Sequence, residues 1–201
     1  MDHLLGADPV IGAIVEAHGP LDQEARRRGR PADAYGALLR AIVGQQLSTK
    51  AARTIYTRLL GLYGDRTPSP EELVGTDPER LREAGLSRAK GAYLRSLAEH
   101  VLAGELELDR LGELEDEEVS SQLTAVKGLG RWTADMFLIF HLGRPDVLPV
   151  GDLGIRRAVQ IAYELEALPA AAELDRIAEP WRPHRSLASL YLWTSLDNEP
   201  G

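Results

Sequence analysis

The stretch Leu123-Thr-Ala-Val-Lys-Gly-Leu-Gly-Arg-Trp-Thr-Ala-Asp-Met136 predicts two helices joined by a very short turn. An amphipathic helix leads into Lys127-Gly-Leu-Gly130, and a second helix starts at once and reaches Leu142. The two glycines allow a turn too tight for side chains and leave backbone N–H groups exposed at the second helix, where an anion such as a phosphate is favoured. Leu129, between them, is expected to insert into the core. A Gly-x-Gly turn is also typical of an ordinary helix connection, so both interpretations stay open.

Helix start signals recur along the rest of the chain. A capping residue followed by proline at the first helical position occurs at Asp8-Pro9, Ser69-Pro70 and Asp77-Pro78; Asp33, Ser48 and Ser87 cap further helices, and Asp116 opens another. Apolar residues follow at helical spacing, and no segment alternates in the manner of a strand. We therefore predict an all-α fold of roughly ten helices, with a loop over residues 21–31.

The composition is that of a compact globular protein and excludes several kinds of chemistry. Of the 201 residues, 44% are hydrophobic and 27% are charged. The chain has no cysteine, which excludes disulfides, thiolate zinc sites, iron–sulfur clusters and a cysteine nucleophile. The longest apolar run, residues 136–140, is far shorter than the ~20 residues of a membrane span, and Asp2 stands where a signal peptide has basic residues. We expect a soluble, intracellular protein that is cytoplasmic or nucleoid-associated.

The charge is unevenly distributed. The formal net charge is −8, which taken alone argues weakly against a nucleic-acid partner. Residues 105–118, however, contain eight acids and one base, whereas residues 40–66 and 79–95 are rich in arginine and lysine. The pattern indicates an acidic side and a basic side, with ordinary solvated helix faces as the alternative.

A second motif, Leu148-Pro-Val-Gly-Asp-Leu-Gly-Ile-Arg-Arg157, places the carboxylate of Asp152 at the start of a helix, after an irregular loop. Aspartate is a good N-cap, so a purely structural role is one interpretation. A chemical role for the same carboxylate is the other, and the two are compatible.

Taken together, these motifs resemble the helix-hairpin-helix DNA glycosylases. Lys127-Gly-Leu-Gly-Arg-Trp-Thr-Ala134 and Pro149-x-x-Asp-Leu-Gly-Ile155 look most similar to the 3-methyladenine DNA glycosylase II branch, which removes alkylated bases. Residues 41–52 resemble the family's early helix pair with its DNA-probing loop, and residues 181–193 resemble its closing helix. The resemblance covers residues 33–196, and four motifs in the same order make it more specific than any one of them.

The resemblance implies a two-lobed helical bundle with the active-site cleft between the lobes. Residues 1–32 would form an N-terminal helix and loop packing with the C-terminal helices, and residues 33–201 the glycosylase core, with the hairpin at 123–142. The implied function is a monofunctional hydrolase that flips 3-methyladenine or 7-methylguanine out of duplex DNA and cleaves the N-glycosidic bond, in base excision repair. A non-catalytic DNA-binding module and a glycosylase for another lesion are the alternatives.

The resemblance also assigns roles to single residues. Asp152 matches the catalytic aspartate. Trp132 and Trp193 match aromatic residues of the base pocket, and we add Met136 and Tyr191 as further pocket candidates. The wedge that fills the gap left by the extruded base would comprise Gln45, Gln46 and Leu47. Contacts to the DNA backbone would come from the hairpin region, Lys127, Gly128, Leu129, Gly130, Arg131 and Thr133. From their charge, we add Lys50, Arg131, Arg156 and Arg185 as candidates for a basic rim. The carbonyls of Val126 and Leu129 would hold a monovalent cation, Na⁺ or K⁺.

Two departures from the family pattern narrow the expected activity. Relatives that also cleave the strand use a lysine two residues after the last glycine of the hairpin, and this chain has Trp132 there. The larger relatives carry an N-terminal β-rich domain, and the roughly 30 residues before the helical core are too few for one. We therefore expect no lyase activity, no required cofactor, no iron–sulfur cluster and no membrane partner, and a monomer that binds double-stranded DNA mostly independently of sequence.

Overall fold

The structure, a computed structural model, describes residues 1–22 and 31–197. The α-helices in these residues are α1 (Asp2–Ala7), α2 (Pro9–His18), α3 (Ala34–Gly44), α4 (Thr49–Gly61), α5 (Pro70–Gly75), α6 (Pro78–Glu83), α7 (Arg88–Leu102), α8 (Asp116–Ala125), α9 (Arg131–Phe137), α10 (Leu153–Ala162), α11 (Ala171–Ile177) and α12 (Arg185–Asp197). Two 3₁₀ turns, Leu108–Glu113 and Glu179–Trp181, and a π-helical turn, Leu138–Leu142, add to them. No β-strand occurs in the described residues, and the predicted all-α fold is confirmed. Of the predicted loop, residues 23–30 lie outside the described residues.

The predicted capping side chains make the expected hydrogen bonds. Asp8 Oδ1 accepts from the Val10 amide at 2.7 Å, and Asp33 Oδ1 accepts from the amide three residues later at 2.6 Å. At Ser69 the bonds are reciprocal, because Ser69 Oγ accepts from the Glu72 amide and the Glu72 carboxylate accepts from the Ser69 amide. Each cap stabilises its helix by about 0.5–2 kcal/mol, which is why these residues mark helix starts in the sequence.

One predicted helix differs from the observed one. The helix expected to reach Leu142 is α-helical only to Phe137, and residues 138–142 form the π-helical turn. A π turn takes in one more residue than an α turn, so apolar spacing over so short a segment does not distinguish them.

The described residues form two compact units. One unit combines residues 1–22 with residues 138–197. Its core joins Leu4 and Ile11 of the N-terminal helices to Val159 of α10 and Leu192 of α12, and all four side chains are fully buried. Each such side chain contributes about 1.5–3 kcal/mol through burial. Helices α10 and α12 pack directly on each other, which brings the start of α10 beside Trp193 of α12.

The other unit comprises residues 31–137, and α3 is its central helix. Leu38, Leu39, Ile42 and Val43 of α3 are fully buried, and α3 packs against α4, α7 and α9. The turn that follows α3 therefore lies beside both α7 and the hairpin that precedes α9. Among the described residues, no helix is both long enough and apolar enough to cross a bilayer.

Candidate functional site

The carboxylate of Asp152 is held at the N-terminus of α10 by two N–H donors. Its Oδ1 accepts from the Ile155 amide at 2.8 Å and from the Trp193 indole Nε1 at 3.0 Å. The first bond is the predicted N-cap interaction, and the second comes from a different helix, α12. The dipole of α10 also favours an anion here. Asp152 is therefore a cap and, at the same time, a half-buried carboxylate with a defined orientation.

The loop over residues 143–151, which leads into Asp152, is attached to the start of α12. Arg185 Nε and Nη2 donate to the two Asp146 carboxylate oxygens at 2.8 and 3.0 Å. Burial by itself would raise the pKa of Asp146, but the hydrogen bonds and charge of Arg185 outweigh it and hold the pKa below its ordinary value. Ser186 Oγ adds bonds to an amide and a carbonyl of the same loop. Helix α12 thus holds the loop through Arg185, and about two turns further along the helix it holds Asp152 through Trp193.

The indole of Trp193 is itself fixed by close neighbours. It stacks on Phe140, with ring centroids 5.8 Å apart and planes inclined by 25°. A Cβ on Gly154 would lie 3.3 Å from the indole Cδ1 and 3.0 Å from Asp152 Oδ1. Gly154 therefore permits the close approach of the indole to the carboxylate. The sequence alone did not indicate this role.

The other residues expected in a base pocket differ in exposure. Trp132 is 43% exposed at the start of α9, and Met136, one turn later, is half-buried. Tyr191 is only 1% exposed and lies in the core, where its hydroxyl donates to the Gly19 carbonyl at 2.9 Å. Tyr191 was expected to line the base pocket, but its side chain packs in the core of its own unit.

The hairpin contains one glycine in a tight environment and one in an open environment. Gly128 has φ +92°, and a Cβ there would overlap the ring of Tyr93. Gly130 has no atom within 4 Å of such a Cβ, and Leu129 between them is buried as expected. The expectation that the turn is too tight for side chains therefore holds at Gly128 only. At Gly130 the fold itself leaves room.

Two of the expected DNA-backbone residues have other surroundings. Thr133 is 3% exposed, so its side chain packs inside the unit. The Arg131 guanidinium donates to Glu117 at 2.9 Å and to Asp135 at 3.0 Å. Burial raises the pKa of Asp135 even though Arg131 opposes that rise, so Arg131 compensates a buried carboxylate.

The residues expected at a basic rim are mostly engaged within their own units. Arg131 pairs with acids as above, Arg185 pairs with Asp146, and Arg156 Nε donates to the Pro169 carbonyl at 2.9 Å. Lys50, by contrast, is exposed at the start of α4.

Residues 45–48, here called the wedge turn, follow α3. Gln45 Nε2 donates to the Gly128 carbonyl at 2.8 Å, so this side chain binds the hairpin. Gln46 is exposed and has φ +57°, a left-handed conformation that few residues other than glycine adopt. Leu47 is 37% exposed. Of the three expected wedge residues, Gln45 is hydrogen-bonded to the hairpin, and the other two are exposed.

Sequence reasoning missed Lys90 and Tyr93 of α7. Lys90 Nζ donates to the Val43 carbonyl at 2.8 Å and to the Gln45 carbonyl at 2.7 Å, and Tyr93 covers Gly128. Their spacing of three residues puts them on one face of a helix, but nothing in the sequence shows what that face contacts. Within residues 1–22 and 31–197, no three histidine, aspartate or glutamate side chains gather as a metal site would require.

Comparisons with known proteins show the family of this chain. The family described as "HhH-GPD superfamily base excision DNA repair protein" matches residues 39–183. The DNA-3-methyladenine glycosylase 1 of Schizosaccharomyces pombe is 35% identical over 193 residues, which cover 95% of this chain and 84% of that protein.

Two solved structures are similar throughout. The S. pombe 3-methyladenine DNA glycosylase Mag1, solved in complex with abasic DNA, has a TM-score of 0.87 at 34% identity, covering 98% of this chain and 96% of that one. A DNA-3-methyladenine glycosidase of Bacillus halodurans has a TM-score of 0.82 at 36% identity, covering 98% and 88%. The chain therefore belongs to the helix-hairpin-helix (HhH-GPD) superfamily of base excision DNA repair proteins.

Proposed function

We propose that the protein is a monofunctional DNA glycosylase that excises alkylated bases of the 3-methyladenine and 7-methylguanine class from duplex DNA. The observation that carries the proposal is the Asp152 carboxylate, oriented by the Ile155 amide and the Trp193 indole at the start of a helix. The names of the similar proteins support the same substrate class.

The reaction needs a fixed negative charge more than a strong acid. A purine methylated at N3 or N7 is cationic and leaves readily, so positive charge accumulates on the deoxyribose as the N-glycosidic bond breaks. The Asp152 carboxylate stabilises that charge electrostatically, and its preset orientation avoids reorganisation during the reaction. The same carboxylate can orient or deprotonate the attacking water. We assign the electrostatic role first, because with a cationic leaving group the N-glycosidic bond breaks largely before water attacks.

Trp132 in one unit and Trp193 in the other are each able to bind a cationic base by stacking and cation–π attraction, which contributes roughly 0.5–2 kcal/mol for each ring. Support comes from the exposure of Trp132 and from the Phe140 ring that backs Trp193. Met136, half-buried one turn from Trp132, offers a smaller apolar contact. Tyr191 is left out of the base-binding residues because it lies in the core.

A base inside a duplex must be flipped out, at a cost of a few kcal/mol. Gln46 enters the gap, with Leu47 beside it, since both are exposed while Gln45 is bound to the hairpin. The hairpin binds the sugar–phosphate backbone through the N–H groups after Gly130, where open space lets a phosphate approach, and through the exposed Lys127. Arg131 and Thr133 contribute main-chain groups only.

The hairpin carbonyls can also hold a monovalent cation. The Val126 carbonyl accepts from the Leu129 amide at 3.0 Å, and a carbonyl oxygen has a second lone pair for a hard cation such as Na⁺ or K⁺. A cation bound by the carbonyls of Val126 and Leu129 would place a positive charge near the bound phosphate. No lyase step is proposed, because Trp132 occupies the position of the lyase lysine, and no iron–sulfur cluster, because the chain has no cysteine.

The test is base release from methylated duplex DNA by the wild type and Asp152→Asn. Asparagine keeps the N-cap and the oxygen that accepts from Trp193, so the variant should fold and bind DNA. Asp77→Asn is a matched control, since Asp77 caps α6 in the same way, accepting from the Glu79 amide at 2.9 Å.

We expect the wild type and Asp77→Asn to release free 3-methyladenine or 7-methylguanine and to leave intact abasic strands, and Asp152→Asn to release none. Base release by Asp152→Asn as well as by Asp77→Asn would show that the Asp152 carboxylate does not have the proposed catalytic role. Strand cleavage without added base would contradict a monofunctional enzyme. Binding without release from any lesion would establish a non-catalytic DNA-binding module instead.

A further inference from the structure

The ammonium group of Lys90 caps the C-terminus of α3. The last carbonyls of an α-helix have no partner within the helix, and they carry partial negative charge. Lys90 Nζ, on α7, donates to two of the carbonyls at this end, those of Val43 and Gln45, at 2.8 and 2.7 Å. A half-buried cation with two such acceptors holds the main chain at the start of the wedge turn.

The same helix face also holds the hairpin. Tyr93, one turn after Lys90, covers Gly128, and the Gly128 carbonyl accepts from Gln45 Nε2 at 2.8 Å. Gln45 is therefore held at its carbonyl by Lys90 and at its side chain by Gly128. Helix α7 links the wedge turn to the hairpin through these contacts.

The next residue, Gln46, has a conformation that needs such support. Its φ of +57° is unfavourable for a residue with a side chain, and this strain persists only when surrounding contacts enforce it. The Leu47 amide closes the turn locally by donating to the Gly44 carbonyl at 3.2 Å, and the tertiary contacts that hold the turn in place are those of Gln45 with Lys90 and Gly128. Without them the wedge turn can relax, and the side chain of Gln46 would no longer be presented in one direction.

We propose that Lys90 is a positioning residue for base extrusion: its ammonium group, bonded to the Val43 and Gln45 carbonyls, holds the wedge turn so that Gln46 can enter the duplex. The proposal rests on the proposed glycosylase function. It concerns only the flipping step, so Lys90 should matter most where extrusion of the base is most difficult.

The experiment compares Lys90→Met with the wild type on two methylated duplexes, one with the lesion base paired and one with it mispaired. A mispaired base is easier to flip. We expect single-turnover release from the paired duplex to fall on the order of tenfold, the effect of losing a charged hydrogen-bond donor, and release from the mispaired duplex to change far less. Arg88→Met removes a charge from the same helix and should leave the ratio of the two rates unchanged.

A second readout follows the DNA directly. The fluorescence of 2-aminopurine beside a stable abasic analogue reports unstacking, so it tests Lys90 even if the wild type releases no base. The chain has no cysteine, so Lys90→Cys introduces a single thiol that 2-bromoethylamine converts into a lysine analogue. This treatment should restore both the fluorescence change and the release from the paired duplex.

Equal losses on both duplexes, or no loss on the paired duplex, would overturn the proposal. So would an unstacking signal in Lys90→Met equal to that of the wild type. If the wild type releases no base yet Lys90→Met abolishes the unstacking signal, the proposed function fails while the role of Lys90 in positioning the wedge turn holds.

Discussion

Replacing Gly128 with alanine should destabilise the protein by about 2–5 kcal/mol. Two effects make up this magnitude. The left-handed φ of +92° costs a residue with a Cβ about 1–2 kcal/mol. The added Cβ overlaps the ring of Tyr93, and overpacking of this kind costs about 1–3 kcal/mol. At about 2–4 °C per kcal/mol for a chain of this size, the melting temperature should fall by at least about 4 °C.

Gly130→Ala is the matched control, because its Cβ meets no atom within 4 Å and its φ is not positive. Thermal and urea unfolding should place it within about 0.5 kcal/mol of the wild type. A double-mutant cycle with Tyr93→Ala separates the two effects, since removal of the ring should recover the overpacking part and leave the backbone part. Equal destabilisation by Gly128→Ala and Gly130→Ala would refute the reasoning, and absence of coupling to Tyr93 would refute its steric half.

Three further changes test the hydrogen bonds around the site. Trp193→Phe keeps the stacked ring but removes the indole donor to the candidate catalytic carboxylate; single-turnover base release should fall about 10- to 100-fold, and an unchanged rate would contradict the assigned role. Arg131→Met leaves the buried Asp135 without its donor. The free energy of unfolding, measured in urea, should fall by about 1–3 kcal/mol. Because burial already raises the pKa of Asp135, this loss should be largest at pH 8 and should shrink as protonation removes the charge of Asp135. A loss that is independent of pH would show that this charge is unimportant. Asp146→Asn weakens the pair with Arg185, whose contribution is present above the ordinary carboxyl pKa of about 3.9 and is lost as pH falls through the lowered pKa. The wild type should therefore be more stable than the variant at pH 7 and lose that advantage in acid, and a constant difference across this range would contradict the ion pair.

The helices were predictable because their start signals act locally. Asp8, Asp33 and Ser69 bond amides two or three residues later, so the sequence contains both partners of each cap. The π-helical turn after Phe137 was not predictable. Apolar residues at this spacing suit an α-turn and a π-turn alike, and the choice depends on packing against other elements.

The candidate site was only partly predictable. The motifs pointed to Asp152, Trp193 and the hairpin, and these roles remain predictions. The same reasoning placed Tyr191 at the base and Arg131 and Arg185 at the DNA, whereas the structure buries the tyrosine in a core and pairs both arginines with acids. Sequence periodicity shows that a residue lies on a helix face, but it does not show what the face meets.

The amino-acid sequence by itself determined the all-α class, the positions of the helix starts, the hairpin turn and the absence of thiol chemistry, because each depends on residue types or on contacts within about one helical turn. Only the tertiary structure decided which groups meet. Trp193 donates to Asp152 from 41 residues away, Lys90 reaches the Gln45 carbonyl across 45 residues, and Gln45 reaches the hairpin across 83. Such pairs form because buried helix faces pack in one arrangement, and side chains at the ends of those helices acquire their neighbours only as a consequence of that packing.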